Sequence, residues 1–201
     1  MWITQEKMEE VMRPFIISLL TAVLSVSVFA GYDYTIVDGI WNNITVSGMQ
    51  TFLMTGGAIE YLTGKDNSIL EIRQTSFFPG TSAGIISLIL SDSSQLDFSG
   101  GYVYKFSPSG DAKAILSGGQ IDEIWGSYLF PADASHIKVY CQPGWTYSGG
   151  YLSGLWLDNS AFNIKLVTKS GSDIFSNMTI IPEPATLFLL AIGGLLLKRK
   201  K

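Results

Sequence analysis

Of 201 residues, one is cysteine and one is histidine. A lone cysteine excludes an internal disulfide framework, and one Cys with one His excludes a Cys/His zinc site of the usual kind. No metal or cofactor is expected. Charged residues make up 15% of the chain, against roughly 25% in ordinary soluble domains. The net charge of −4 disfavours a basic nucleic-acid-binding face. Helical periodicity is nearly absent between the two ends. What is plentiful is apolar side chain, 47% of the residues, which excludes an intrinsically disordered protein. The length suits one soluble domain, so the useful question is where the apolar residues sit.

Two long uninterrupted runs lie near the termini. From Met12 the chain reads M-R-P-F-I-I-S-L-L-T-A-V-L-S-V-S-V-F-A, with Arg13 ahead of an apolar stretch and small residues Val28 and Ala30 before Gly31. That is the pattern of a secretory signal peptide cleaved between Ala30 and Gly31, which makes signal peptidase a partner. Glu6, Glu9 and Glu10 oppose the charge asymmetry that export requires, so translation is expected to start at Met12. At the other end Pro182, Glu183 and Pro184 precede thirteen uncharged residues, Ala185–Leu197, and the basic cluster Lys198, Arg199, Lys200 and Lys201. Thirteen helical residues cover about 20 Å, short of a bilayer's hydrocarbon core, and snorkelling lysines help with the deficit. The cluster is expected to stay cytoplasmic and leave residues 31–181 outside.

Pro-Glu-Pro, a Leu-rich helix containing Gly193-Gly194 and a terminal Lys/Arg cluster together resemble the PEP-CTERM sorting signal of Gram-negative and related bacteria. The resemblance implies an exosortase, a membrane-embedded cysteine protease, as the partner that recognises and processes the tail. It also implies anchoring in the inner membrane before processing, then delivery to the envelope, surface or extracellular matrix. The expected domains are therefore a signal peptide (1–30), a β-rich passenger (31–179) and a sorting segment (180–201).

The passenger holds 13 acidic and 7 basic residues, a net of −6. Short alternating segments recur in it: Tyr32–Val37, Ile44–Val46, Ile69–Ile72, Leu96–Phe98, Ala114–Leu116, Ile137–Tyr140 and Phe162–Val167. Alternation punctuated by Gly, Ser, Asp and Asn predicts half-buried strands in an all-β domain. Thr55-Gly56-Gly57, Ser99-Gly100-Gly101 and Ser117-Gly118-Gly119 each open a similar segment, with a degenerate copy at Ser82-Ala83-Gly84. Apolar anchors fall at 59/62, 85/88, 103/106 and 121/124, in steps of 26, 18 and 18. Two short strands per step predict a short parallel β-solenoid with glycine corners. A β-sandwich of hairpins is the alternative. Residues 125–179, rich in Trp and Gly, are expected to form a C-terminal β cap. The passenger as a whole resembles Gly-Gly-repeat PEP-CTERM proteins of planctomycete-like genomes, in which such repeats lead into a segment like Leu152–Asp158. That resemblance implies an architecture and no activity.

Little points to catalysis. His136 and Cys141 lie five apart, on a predicted strand and the loop after it, with no oxyanion signature near them. Asp66-Asn67-Ser68 and Asp158-Asn159-Ser160 read as turns rather than calcium ligands. No Asp cluster recurs in register with the repeat, and Arg73 is the passenger's only arginine. The expected function is a non-enzymatic surface or matrix protein, structural or adhesive, with exopolysaccharide as a partner. The alternative is a carbohydrate-binding module presenting Trp125, Trp145 and Trp156 to sugar rings.

Overall fold

The structure, a computed structural model, describes residues 31–77, 79–80, 83–126, 136–168 and 173–182. The signal segment 12–30, with Val28 and Ala30, and the tail from Glu183 to Lys201 lie outside the described residues. Among the described residues no helix is long and apolar enough to cross a membrane.

The described chain is all-β, with parallel and mixed sheets. Sheet I runs, in order, through β1 (Tyr34–Ile36), β3 (Thr51–Met54), β5 (Ile69–Ile72), β7 (Gln95–Phe98), β9 (Lys113–Leu116), β11 (His136–Cys141) and β15 (Met178–Pro182). Sheet II runs from β2 (Ile40–Val46) through β4 (Ala58–Gly64), β6 (Ile85–Leu90), β8 (Tyr102–Pro108) and β10 (Gln120–Trp125). It continues to β14 (Ala161–Val167), β13 (Tyr151–Leu155) and β12 (Thr146–Ser148). Consecutive strands from β1 to β11 alternate between the sheets. Every pairing among them is therefore between next-but-one strands, and all are parallel. The antiparallel hairpins that a sandwich would require occur, among the described residues, only in β12–β13–β14.

The ladder register reproduces the sequence steps. Ile59 pairs with Ile85, Ile85 with Val103 and Val103 with Ile121 in sheet II. Phe52, Leu70, Leu96 and Ala114 pair in the same succession in sheet I. An earlier rung, β1 with β2, carries no Gly-Gly and was not legible as a repeat, yet Ile40 pairs with Ala58 and Trp41 with Ile59.

The spacing of three between anchors has a geometric cause. Strict alternation would turn Ile59 and Leu62 to opposite faces. In each pairing from β2 to β10 one position is skipped on both strands together, so that Ile59↔Ile85 is followed by Tyr61↔Ser87 and Ile85↔Val103 by Ser87↔Lys105. Strict alternation lapses there in register: Glu60 and Tyr61 both lie outside the buried core, and Leu62 returns to it. Ile59, Leu62, Ile85, Leu88, Val103, Phe106 and Ile124 are all fully buried as a result.

Two kinds of corner join the sheets. At Ser117-Gly118-Gly119 a Cβ on Gly118 would strike the Ser99 carbonyl oxygen, and Gly119 has φ +76, so neither position tolerates a side chain. The opposite corner repeats a left-handed residue at Gly48, Asp66, Asp92 and Gly110, a periodicity the sequence hides because two of the four are aspartate. Ser68, Ser94 and Ala112 follow at the buried position of this corner. The step of 26 places eight more residues between β5 and β6, and described residues of that connection still bond to the neighbouring rungs. Ser76 N–H still donates to Gly57 O (2.6 Å), and Tyr102 N–H to Thr75 Oγ1 (2.9 Å).

Beyond β10, sheet II turns antiparallel through β14, β13 and β12. The β13–β14 hairpin carries Leu152, Trp156, Phe162, Ile164 and Leu166 into the same apolar core. Trp156 is fully buried, packs its ring 4.3 Å from Phe162, and donates its indole N–H to Gly119 O at 2.7 Å. One expectation needs correcting: Cys141 is the last residue of strand β11 rather than part of a loop.

Candidate functional site

The three tryptophans that the alternative, carbohydrate-binding reading would present to sugars have different fates. Trp156 is closed inside the core and presents no face to solvent, which removes it as a glycan contact. Trp145 is half-buried against the core, its ring 6.3 Å from that of Phe175, which in turn stacks on Tyr147 at 4.1 Å. Trp125 lies on the outer surface of sheet II within a charged frame. Lys105 Nζ sits 3.9 Å from its ring centroid, and its indole N–H donates to Glu123 Oε2 at 2.6 Å. Lys165 donates to the other oxygen of Glu123 at 3.0 Å and ties β14 to β10. Burial opposes the charge on Glu123, but bonds from Lys165 and Trp125 outweigh it and hold the carboxyl below its ordinary range. On the same sheet, burial first, and then the hydrogen bond to Asp122, pushes Tyr102 up to about 12. Trp125 is thus engaged by its neighbours on one face and at its edge.

His136 and Cys141 do not form a catalytic pair. Both lie on β11, with His136 exposed and Cys141 fully buried. Burial pushes the thiol pKa up, which suppresses the thiolate a nucleophile needs. Asp66 and Asn159 occupy left-handed turn positions, and Asp158 accepts from Ser160 N–H (2.9 Å) and Oγ–H (2.6 Å), the geometry of an Asx turn. Among the described residues no three His, Cys, Asp or Glu side chains converge as metal ligands would.

What sequence reasoning missed is a recess of about 460 Å³ on the outer face of sheet I. Strand register builds it: Gln95, Lys113 and His136 stand side by side on β7, β9 and β11, and Ile115 and Lys138 pair two residues on. Thr179 of β15 closes one side. Three of the passenger's few basic or imidazole side chains therefore meet on an acidic domain. Among the described residues neither Lys113 nor Lys138 forms an ion pair. The only signal available in the sequence was two lysines and the histidine near the starts of consecutive sheet I strands, visible once the register is known.

Farther along the same face, toward β1, the charges are paired. Tyr32 and Arg73 both donate to Glu71. Burial opposes ionisation of Glu71, yet those bonds hold it below the usual carboxylate range, whereas burial and the Glu71 charge push Asp97 up.

Pro182 pairs with Cys141 as the last residue of β15, and Glu183 and Pro184 lie outside the described residues. Comparison with family models, characterised proteins and solved structures finds no match to the chain.

Proposed function

We propose that the passenger is a short parallel β-solenoid in an exported, non-enzymatic surface or matrix protein. It serves as a rigid structural or adhesive module. The signal peptide delivers it, signal peptidase cuts after Ala30, and an exosortase-type protease sorts it through Pro182, Glu183 and Pro184. Ala185–Leu197 holds the tail in the inner membrane while Lys198–Lys201 fixes its orientation. The observation that carries the architectural part is the in-register 18-residue step, kept in both sheets across corners of glycine and left-handed aspartate. Stacked coils of that kind supply stiffness through contacts between neighbouring repeats alone. The sorting part is supported by the chain order: Glu183 and Pro184 directly follow Pro182, the last residue of β15. Glu183→Ala is expected to leave full-length chain in the inner membrane, read by fractionation and immunoblot. Unchanged release or surface display would contradict exosortase-type processing.

The recess on sheet I favours a second reading, binding of an acidic glycan. An extended peptide could not add to the backbone there, because β7, β9 and β11 are paired on both sides, so recognition would rest on side chains. Lys113 and Lys138 would meet carboxylates, and Ile115 would meet the apolar face of a ring. Lys113→Ala with Lys138→Ala is expected to abolish retention on an acidic-polysaccharide column. Unaltered retention would remove the recess from consideration.

A further inference from the structure

At the start of the stack the core column is cut open. Ile59, Ile85, Val103 and Ile121 are each 2% exposed or less, yet Trp41, in register with them on β2, is 49% exposed. Its neighbours Ile40, Val37 and Tyr34 are also exposed, and Ile44 is only partly covered. Among the described residues β1 and β2 each have a partner on one side only. Seven-residue β2 reads Ile-Trp-Asn-Asn-Ile-Thr-Val, without the Lys, Pro or short length that usually protects a free strand edge.

We infer that this end is an interface with a second copy of the chain, in which the β2 edges pair about a two-fold axis. The inference rests on the proposed signal cleavage. A cut after Ala30 leaves only Gly31, Tyr32 and Asp33 before β1, too few to supply another rung. The uncovered strand carries no charge, so it offers no basis for choosing a charged partner and is compatible with itself. An antiparallel β2–β2 pair is isologous, since each copy offers the same edge and the same Trp41 and Ile40. The isologous pair uses the β2 edge of both copies, so pairing through this edge stops at two copies and makes a dimer rather than a filament.

The test uses the exported chain purified in detergent, with intact mass and multi-angle light scattering on the same sample. The expected result is a chain beginning at Gly31 whose scattering mass is twice the chain mass. Trp41→Lys and, separately, Ile40→Lys should each raise the dissociation constant at least tenfold with an unchanged circular dichroism spectrum. A cleaved chain that is monomeric overturns the pairing while sparing the processing reading. So does a dimer indifferent to both variants, or an open-ended series of masses. A chain that retains residues 12–30 overturns the processing reading. If that chain is also monomeric, it overturns the pairing too, because the leader is then the occupant. If it is dimeric and sensitive to both variants, the pairing stands without the cleavage.

Discussion

At the β14 end of sheet II the chain doubles back in two antiparallel turns. Three-residue β12 forms the sheet edge, and Trp156 is locked beneath by a bond to a corner carbonyl. Among the described residues nothing comparable happens at the β2 end. A seven-residue uncharged strand stands at the edge, and a tryptophan in register with the core is half in solvent. The difference shows that a stack of identical rungs has no intrinsic way to stop. Stopping requires residues that break the repeat, and this chain spends its least repetitive segment on one end alone.

Replacing a tryptophan at each end gives the largest and the smallest expected effects on stability. Trp156→Ala should lower the unfolding free energy by about 3–5 kcal/mol, since it empties a fully buried site and orphans the Gly119 carbonyl. Denaturant titration would read it, and a loss below about 1 kcal/mol would mean that Trp156 does not hold the cap.

Acid tests the polar ties at both ends. Near β1, Asp33 accepts from Thr51 N–H (2.7 Å) and Oγ1–H (3.0 Å), and Glu71 takes Tyr32 and Arg73. At β14, Glu123 takes Lys165 and Trp125. All three carboxyls are held below their ordinary values when folded. Their stabilisation is therefore complete above the unfolded carboxylate values near about 4 and is lost as pH falls through the lower folded ones. Asp97, pushed up, works in the opposite sense and gains stability on protonation. Thermal melting from pH 6 to pH 2 should show a net fall that Glu123→Gln and Glu71→Gln each make shallower. A melting temperature indifferent to pH would remove these ties from the account.

Between the ends, the buried corner position changes by stages. Ser68 Oγ has no hydrogen-bond partner, Ser94 Oγ donates to Ser91 O at 2.7 Å, and Ala112 has no hydroxyl at all. Ser68→Ala should therefore stabilise the chain by up to about 1 kcal/mol, whereas Ser94→Ala should not. Equal destabilisation by both would show that Ser68 is bonded in solution. Trp41→Ala should change the stability of the separated monomer by no more than about 0.5 kcal/mol. A loss comparable with that of Trp156→Ala would erase the distinction between the two ends.

Much of the repeat was readable in the sequence because glycine corners are chemically constrained. Gly118 has no room for a Cβ and Gly119 needs a positive φ, so the pair recurs wherever that corner does. The opposite corner was illegible for the converse reason: glycine and aspartate both reach the left-handed region, and Gly48, Asp66, Asp92 and Gly110 share no single letter. The rung of β1 and β2 escaped because Asp38-Gly39 replaces Gly-Gly at its corner and Trp41 stands where Ile59 and Ile85 stand in the next rungs. Strands such as Ile69–Ile72 matched their expected bounds because alternation there is strict. The recess at Lys113, His136 and Lys138 could not be found without the register, because its residues are brought together by steps of different length. Which of the tryptophans fills the core was also beyond sequence reasoning, since a tryptophan reads the same in a cap as on a binding face.

The account rests on next-but-one parallel pairing, which backbone proton–proton Overhauser contacts test directly. It predicts contacts linking Gln95 to Lys113 and Lys113 to His136, and others linking Ile85 to Val103 and Val103 to Ile121. Contacts pairing β6 with β7, or β8 with β9, as antiparallel neighbours would contradict it.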